Sequence, residues 1–524
     1  MQVPPPDLVR VQAGPEGSWS APGAIEVSCT PLGDGLAVDV TAGLVSRVHL
    51  RWHRTWAPHV QILGDAWERG YGDLGWAAMA AEVVHPWMVL AHSPTHGTWG
   101  AGVDVAGSSF AGWSIDPRGV SLWLDLRAGS GPVRLDGRQL RAAVVRWVTG
   151  DDPYRTQCTL AGSVSPNPLP VGPLVGANNW YYAYGKGFGV DAVLRDARYV
   201  SELTAGHPVR PFMVVDDGWT PDGMADGRHA SGGPWDRGRA DFAQMSEVAA
   251  AITAEDARPG LWFRPLLSRV PHPGAGRPWD GGWALDPSHP ATIATVSEDV
   301  ARFAGWGYEL VKHDFSTFEA LGRWGFQMGP RPCGPGIAPY DTTRTTAEVL
   351  VGLYDAIARS AGDALVLGCN AVGHLAAGKV HAQRVGDDTS GHVWERTRRM
   401  GVNSLAFRLA QHGRFFTVDA DCVPSTPDTD WAKNRQLLDL VARSGTALFV
   451  SVDPRTYSDA VSDDLAAALK LALDGGIPGG VEPLDWLTTT SPAVWRSGDE
   501  VVTFDWFPAE GADVYDVGGV PYQG

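Results

Sequence analysis

Hydrophobic spacing along the chain changes character near residue 170. Before that point, short apolar alternations at 35–40, 45–52, 87–91, 120–126 and 142–148 are broken by Gly, Pro and Asp. Many short strands separated by turn signals predict an antiparallel β-sandwich. The Pro- and Gly-rich stretch 165–173 reads as a linker.

After the linker, strand-like apolar runs at 174–180, 211–215, 260–265, 309–314, 364–370, 381–385, 414–418 and 446–450 alternate with amphipathic stretches. The helical stretches fall at 191–203, 242–255, 291–304, 345–360 and 431–444. Eight strand–helix alternations of this length predict a (β/α)8 TIM barrel. A doubly wound open sheet is the main competitor, but no GxGxxG follows the first strand. A last helix at 460–473 precedes short strands between 481 and 507. The expected layout is multidomain: an N-terminal antiparallel β-sandwich over 1–165, a catalytic barrel over 166–475 and a small C-terminal β domain over 476–524.

Composition narrows the function. At 524 residues the chain is too long for one hydrophobic core. A formal charge of −17 argues against nucleic acid, which needs clustered Lys and Arg. No apolar run is long enough to span a bilayer. The first fifteen residues lack the basic and apolar blocks of a secretory signal, so a cytoplasmic location is expected. Five dispersed cysteines fit reduced thiols, and no zinc signature or cofactor motif is present. The 23 tryptophans suit a carbohydrate partner, although Trp also fills cores.

In a TIM barrel the active site lies at the C-terminal strand ends. Here those ends carry Asp216-Asp217-Gly218-Trp219, Lys312-His313-Asp314, Cys369-Asn370, Arg384 through Asp387-Asp388, Asp419-Ala420-Asp421 and Asp453. An acidic mouth with flanking tryptophans suits a polyhydroxylated ligand. Glycoside hydrolysis needs two carboxyl groups, and composition alone does not pick the pair. Strand-end aspartates also serve as helix N-caps. Lys312 is more informative, because a Lys inside an apolar strand end needs a buried partner. Two residues from Asp314, it shares that carboxylate's face.

These residues resemble the clan of glycoside hydrolase families 36 and 27, the α-galactosidases, over roughly residues 50–450. Asp216-Asp217-Gly218-Trp219 is similar to the family's DDGW segment, whose aspartates bind O4 and O6 of galactose. Trp262 and Arg264 lie in a segment resembling strand 3, and Leu285-Asp286-Pro287 resembles the segment after it. Lys312-His313-Asp314 resembles K-x-D, which implies Asp314 as nucleophile and Lys312 on a substrate hydroxyl. Cys369 resembles the strand 5 cysteine near O2. Arg384 to Asp388 matches R-x-x-x-D, which assigns acid/base to Asp388 rather than Asp387. The segment from Gly64 through Trp67, Glu68 and Arg69 to Asp73 resembles part of some family 36 sandwich domains. Trp180, Trp67 and His313 complete the expected substrate-binding set.

The resemblance implies a double displacement that needs no metal or cofactor. For that cycle the Asp388 pKa is expected to be raised while Asp314 is free and charged. It also suggests a homo-oligomer in which Trp67 or Trp76 closes a neighbour's pocket. Four departures bear on specificity. The family's usual Arg just before Leu285-Asp286 is missing, with Arg264 or Arg277 as the candidates to replace it. His313 stands where many members have Trp, Asn370-Ala371-Val372-Gly373 replaces a Ser-Gly-Gly run, and a long Gly/Pro-rich loop spans 325–340. L-Arabinopyranose, N-acetylgalactosamine and α-glucose therefore stay open beside galactose. So do transglycosylation and a carbohydrate-binding role on the same scaffold.

Overall fold

The computed structural model describes residues 1–165, 169, 172–185, 187–221 and 231–512. Most of the expected linker, and residues 513–524 of the expected C-terminal domain, lie outside them.

The N-terminal alternations form two antiparallel sheets, one of five strands and one of seven. Among them, Arg47–His53 and Gly119–Asp125 pair in the first sheet, and Met88–Ser93, Gly97–Val103 and Gln139–Gly150 in the second. Trp52 of the first sheet meets Trp147 of the second edge to face at 5.5 Å. The sheets therefore face each other across an apolar layer, as period-two patterning requires. Helix α1 (Pro153–Val164) covers the second sheet and was not expected. Asp152 caps it by accepting from the Arg155 N–H, and Pro153 supplies the fixed first-turn φ.

Eight parallel strands follow in chain order: β1 (Val175–Asn178), β2 (Phe212–Val215), β3 (Arg258–Phe263), β4 (Leu310–His313), β5 (Leu365–Gly368), β6 (Ala382–Arg384), β7 (Thr417–Asp419) and β8 (Leu448–Val452). A short strand, Val423–Ser425, pairs with β8. The edges of the sheet meet, because Asp419 bridges Ala447 and the Ala447 N–H donates to Val418 at 2.9 Å. Each strand falls within three residues of its expected run. Helices α2 (Val190–Leu203), α3 (Met245–Ala254), α4 (Pro290–Gly305), α5 (Thr346–Ser360), α6 (Trp431–Ser444) and α7 (Asp459–Leu473) match the amphipathic stretches. A three-stranded antiparallel insert, Leu267–Ser268, Ala275–Trp279 and Gly282–Leu285, sits between β3 and α4. Residues Val481–Pro483, Val494–Ser497 and Glu500–Thr503 form a last antiparallel sheet. Among the described residues no helix is long and apolar enough to cross a membrane.

Candidate active site

At the C-terminal strand ends lies a pocket lined by Asp216, Asp217, Trp262, Lys312, Asp314, Cys369, Arg384 and Asp388. Trp180, Tyr181, Phe315, Trp324, Arg69 and Asp387 complete the wall. Its floor is an ion pair. Lys312 Nζ donates to Asp216 Oδ2 at 2.7 Å, and Asn178 donates to the same oxygen at 2.5 Å. Burial works against the Lys312 charge, but Asp216 more than offsets it and holds the pKa well above the ordinary value. Beside the pair, burial pushes the Asp217 carboxyl up to about 7, against two weak contacts from the Ser231 N–H at 3.1 and 3.2 Å. The turn that presents both aspartates needs Gly218 (φ +109°), where a Cβ would stand 2.7 Å from the Gly185 carbonyl.

Asp314 follows β4, and its two oxygens are held separately. Oδ2 accepts from Trp262 Nε1 at 3.1 Å, and Oδ1 accepts from the Phe315 N–H at 2.7 Å. Phe315 has φ +59°, a left-handed conformation that a bulky residue seldom adopts. Its ring is covered by the Arg264 guanidinium at 4.2 Å. Arg264 is itself fixed by Glu319 at 2.6 Å and Asp280 at 3.1 Å. Expected in the pocket, Arg264 instead props the turn that carries Asp314.

The Asp388 side chain is 26% exposed and accepts from Arg384 at 3.2 Å, with Arg69 at 3.6 Å. Asp387 is only 3% exposed and is held by Arg69 at 3.1 Å and Arg396 at 2.8 Å. Of the two neighbours, Asp388 is thus the one with room to reach a ligand. Burial pushes its carboxyl up, but Arg384, Arg69, Arg396 and Lys312 outweigh burial and leave the pKa below the ordinary aspartate value. The expected rise is therefore absent, because these four cations together outweigh burial. Arg384 in turn meets Asp421 at 2.9 Å and donates to Cys369 Sγ at 3.6 Å. Burial, then Asp314, keeps the Cys369 thiol protonated.

Three further expected residues stand away from the pocket. His313 points out of the ring, as alternation along β4 dictates, and is buried against Tyr354. Burial lowers its pKa to about 4, so it is neutral. Trp219 is buried against Trp235, Phe303 and Trp306, and its Nε1 donates to the Trp262 carbonyl at 2.9 Å. Trp67 is buried among Trp87 and Phe110, and donates to the Gly329 carbonyl at 2.7 Å. Trp76 packs on Trp486 of the same chain. Trp67 is buried, whereas Trp76 is half-buried. The loop 325–340 does not line the pocket; Ile337 accepts from the Ser130 N–H at 2.8 Å and ties the loop to the N-terminal sheets. Asp453 caps the turn Pro454–Thr456 and pairs with Arg455 at 2.6 Å.

The sequence reading left Arg69, Tyr181, Phe315 and Trp324 outside its binding set. Arg69 lay within the segment whose resemblance to sandwich domains was noted. Phe315 and Tyr181 directly follow Asp314 and Trp180 in the chain. Trp324 follows a short helix, Ser316–Leu321, and carried no signal of its own.

No family model matches this chain, and no curated protein is similar to it in sequence. Solved structures are similar. An α-galactosidase from Thermus thermophilus, solved with p-nitrophenyl α-D-galactopyranoside, superposes with a TM-score of 0.61 at 18% identity, over 91% of this chain and 99% of that one. A family GH36 α-galactosidase from Geobacillus stearothermophilus gives 0.57 at 14% identity, over 84% and 65% of the two chains. The galactosidase domain of an α-galactosidase–sucrose kinase gives 0.59 at 13% identity, over 89% and 72%. Over most of its length, this chain is therefore similar in fold to the α-galactosidases of glycoside hydrolase family 36.

Proposed function

We propose that this protein is a retaining, exo-acting α-glycoside hydrolase that releases terminal α-D-galactose, and that its ring of strands is a closed (β/α)8 barrel. The observation that carries the reading is the convergence of Asp314, Asp388 and the buried Asp216–Lys312 pair on one pocket at the strand ends. That pocket is walled by aromatic side chains, as a sugar ring requires. The neighbours solved with p-nitrophenyl α-D-galactopyranoside, stachyose and raffinose favour galactose as the glycone.

In the proposed cycle Asp216, Asp217 and Lys312 hold the glycone hydroxyls. Trp262 and the Phe315 N–H fix Asp314, which attacks the anomeric carbon as the bond to the leaving oxygen breaks. Protonated Asp388 gives its proton to that oxygen. Asp388 then takes a proton from water, which displaces Asp314 and restores both groups. No residue of this cycle is required to hold a metal.

An acid held below its ordinary pKa is protonated in the free enzyme only at low pH. The high-pH limb of kcat/KM, which reports the free enzyme, therefore lies on the acid side of neutrality. The test is a panel of p-nitrophenyl α-D-galactoside, β-L-arabinopyranoside, α-N-acetylgalactosaminide and α-D-glucoside, with Asp314→Ala alongside. Preferred turnover of the galactoside, lost in the variant, supports the reading. Preference for another sugar moves the glycone, and silence across the panel removes the hydrolase reading.

A further inference from the structure

One wall of the pocket does not belong to the parallel strands. The segment 64–74 leaves the N-terminal sheets and lies against the end of β6. The Gly70 N–H donates to Val385 at 2.8 Å, and the Asp387 N–H donates to Gly70 at 2.9 Å, so the segment pairs like a short extra strand. Residue 386 in this pairing is Gly because the turn carrying Met400 packs on it; a Cβ there would stand 2.5 Å from the Met400 carbonyl. On either side the segment is fastened. Asp65 pairs with Arg408 at 2.8 Å, and Asn403, on the π-helical turn Arg398–Asn403, donates to the Leu74 carbonyl at 2.7 Å.

At the centre of this segment is Arg69. It is buried, with Nε on Glu68 at 3.0 Å, and its terminal nitrogens reach Asp387 at 3.1 Å and Asp388 at 3.6 Å. Glu68 is pinned in turn by Asn370, by the Gly325 N–H at 2.7 Å and by the Tyr71 hydroxyl at 3.0 Å. A buried arginine held on one side and aimed at two adjacent carboxylates has little freedom. We propose that Arg69 is a positioning residue supplied to the pocket by the N-terminal sheets, which orients Asp388 and sets the pH at which it exchanges its proton.

Other charges face Asp388 as well: Arg384 from its own strand, Arg396, Lys312 from β4, and the carboxylates of Asp314, Asp387 and Asp421, with Tyr181 and Tyr184 beside them. Arg384 and Arg396 belong to the same stretch of chain as Asp388. Arg69 differs in arriving from the separate N-terminal sheets, so it makes the proton donor depend on how the two parts of the molecule dock.

The proposal rests on Asp388 as acid/base, but its first test needs no turnover. In the full chain, the Asp388 carboxyl is titrated by carbon-13 NMR, its signal located by its loss in Asp388→Asn. Loss of a cation at this range shifts a carboxylate by about one pH unit or more, so Arg69→Gln raises the midpoint by that amount. Arg69→Lys keeps the charge and restores most of the wild-type midpoint. A midpoint unchanged in Arg69→Gln overturns the proposal. In the assay, the high-pH limb of kcat/KM moves up in Arg69→Gln. There kcat falls at least about tenfold further on methyl α-galactoside, whose leaving group needs a proton, than on p-nitrophenyl α-galactoside. Equal losses on both substrates with an unmoved limb mean a merely structural role and also overturn it. Should Arg69→Gln fail to fold, Arg69→Lys carries the same substrate comparison, because an ammonium cannot fork to two carboxylates. A wild type that turns over no glycoside sinks the hydrolase reading, while the NMR titration still decides the role of Arg69.

Discussion

The two sides of the pocket are built differently. The Asp216–Lys312–Asp314 side comes wholly from neighbouring parallel strands. Lys312 and Asp216 are nearly dry, at 9% and 4% side-chain exposure. On the other side Arg384, Asp387 and Arg69 are as dry, and Asp388 itself is 26% exposed. The first side is assembled within the parallel strands, whereas the second is completed by Arg69 and depends on docking between parts of the chain.

Substitutions can break this contrast, and the largest effect belongs to the side built within the strands. Asp314→Ala is expected to lower kcat/KM on aryl galactoside by more than about 10³-fold with little change in melting temperature, because it removes the proposed nucleophile and no ion-pair partner. Lys312→Met leaves Asp216 buried without its cation. Breaking such a pair costs about 3–5 kcal/mol, so this variant should lose stability in chemical denaturation as well as sugar binding.

Asp217→Asn sharpens the picture through pH. The folded-state pKa of Asp217, pushed by burial up to about 7, lies above its unfolded value. The folded protein therefore holds this proton more tightly, and Asp217 costs stability as pH rises through that interval. The Asn variant should melt above the wild type at pH 8, keep only about a third of that advantage at pH 5 and lose it below the unfolded aspartate pKa of about 3.9, while binding the glycone worse throughout. No gain at pH 8 would mean that Asp217 is not buried as an isolated carboxyl. The smallest effect belongs to Asp453→Ala, which removes the cap of a short turn. It should cost about 1 kcal/mol and leave KM untouched, separating an aspartate that caps from those that line the pocket.

Much of this was legible in the sequence, for physical reasons. Buried parallel strands are near-continuous apolar runs, so all eight were found, and strand ends located Asp216, Lys312, Asp314, Cys369, Arg384 and Asp388 without any contact information. Alternation placed Lys312 with Asp314. The same rule places His313 on the opposite face, where the structure has it. Trp219 was misjudged because only the φ of Gly218 reveals that the chain turns it into the core. Helix α1 carried a legible Asp152-Pro153 cap, masked by the β pattern around it. Arg69 was illegible as a pocket residue, since its position depends on docking between parts of the chain far apart in sequence. The raised pKa expected of Asp388 failed for the same reason, because one of the cations that lower it is Arg69.

In the proposed cycle Asp314 forms the glycosyl bond and Asp388 moves the proton. That cycle is tested most directly by azide rescue on p-nitrophenyl α-galactoside, with the anomer of the product read by NMR. Azide has no proton to give up and replaces water in Asp388→Ala, where it displaces Asp314 from a β-linked intermediate. In Asp314→Gly it attacks the α-linked substrate itself. Double displacement through Asp314 gives α-galactosyl azide from Asp388→Ala and β-galactosyl azide from Asp314→Gly. The same anomer from both variants, or exchanged anomers, would contradict it.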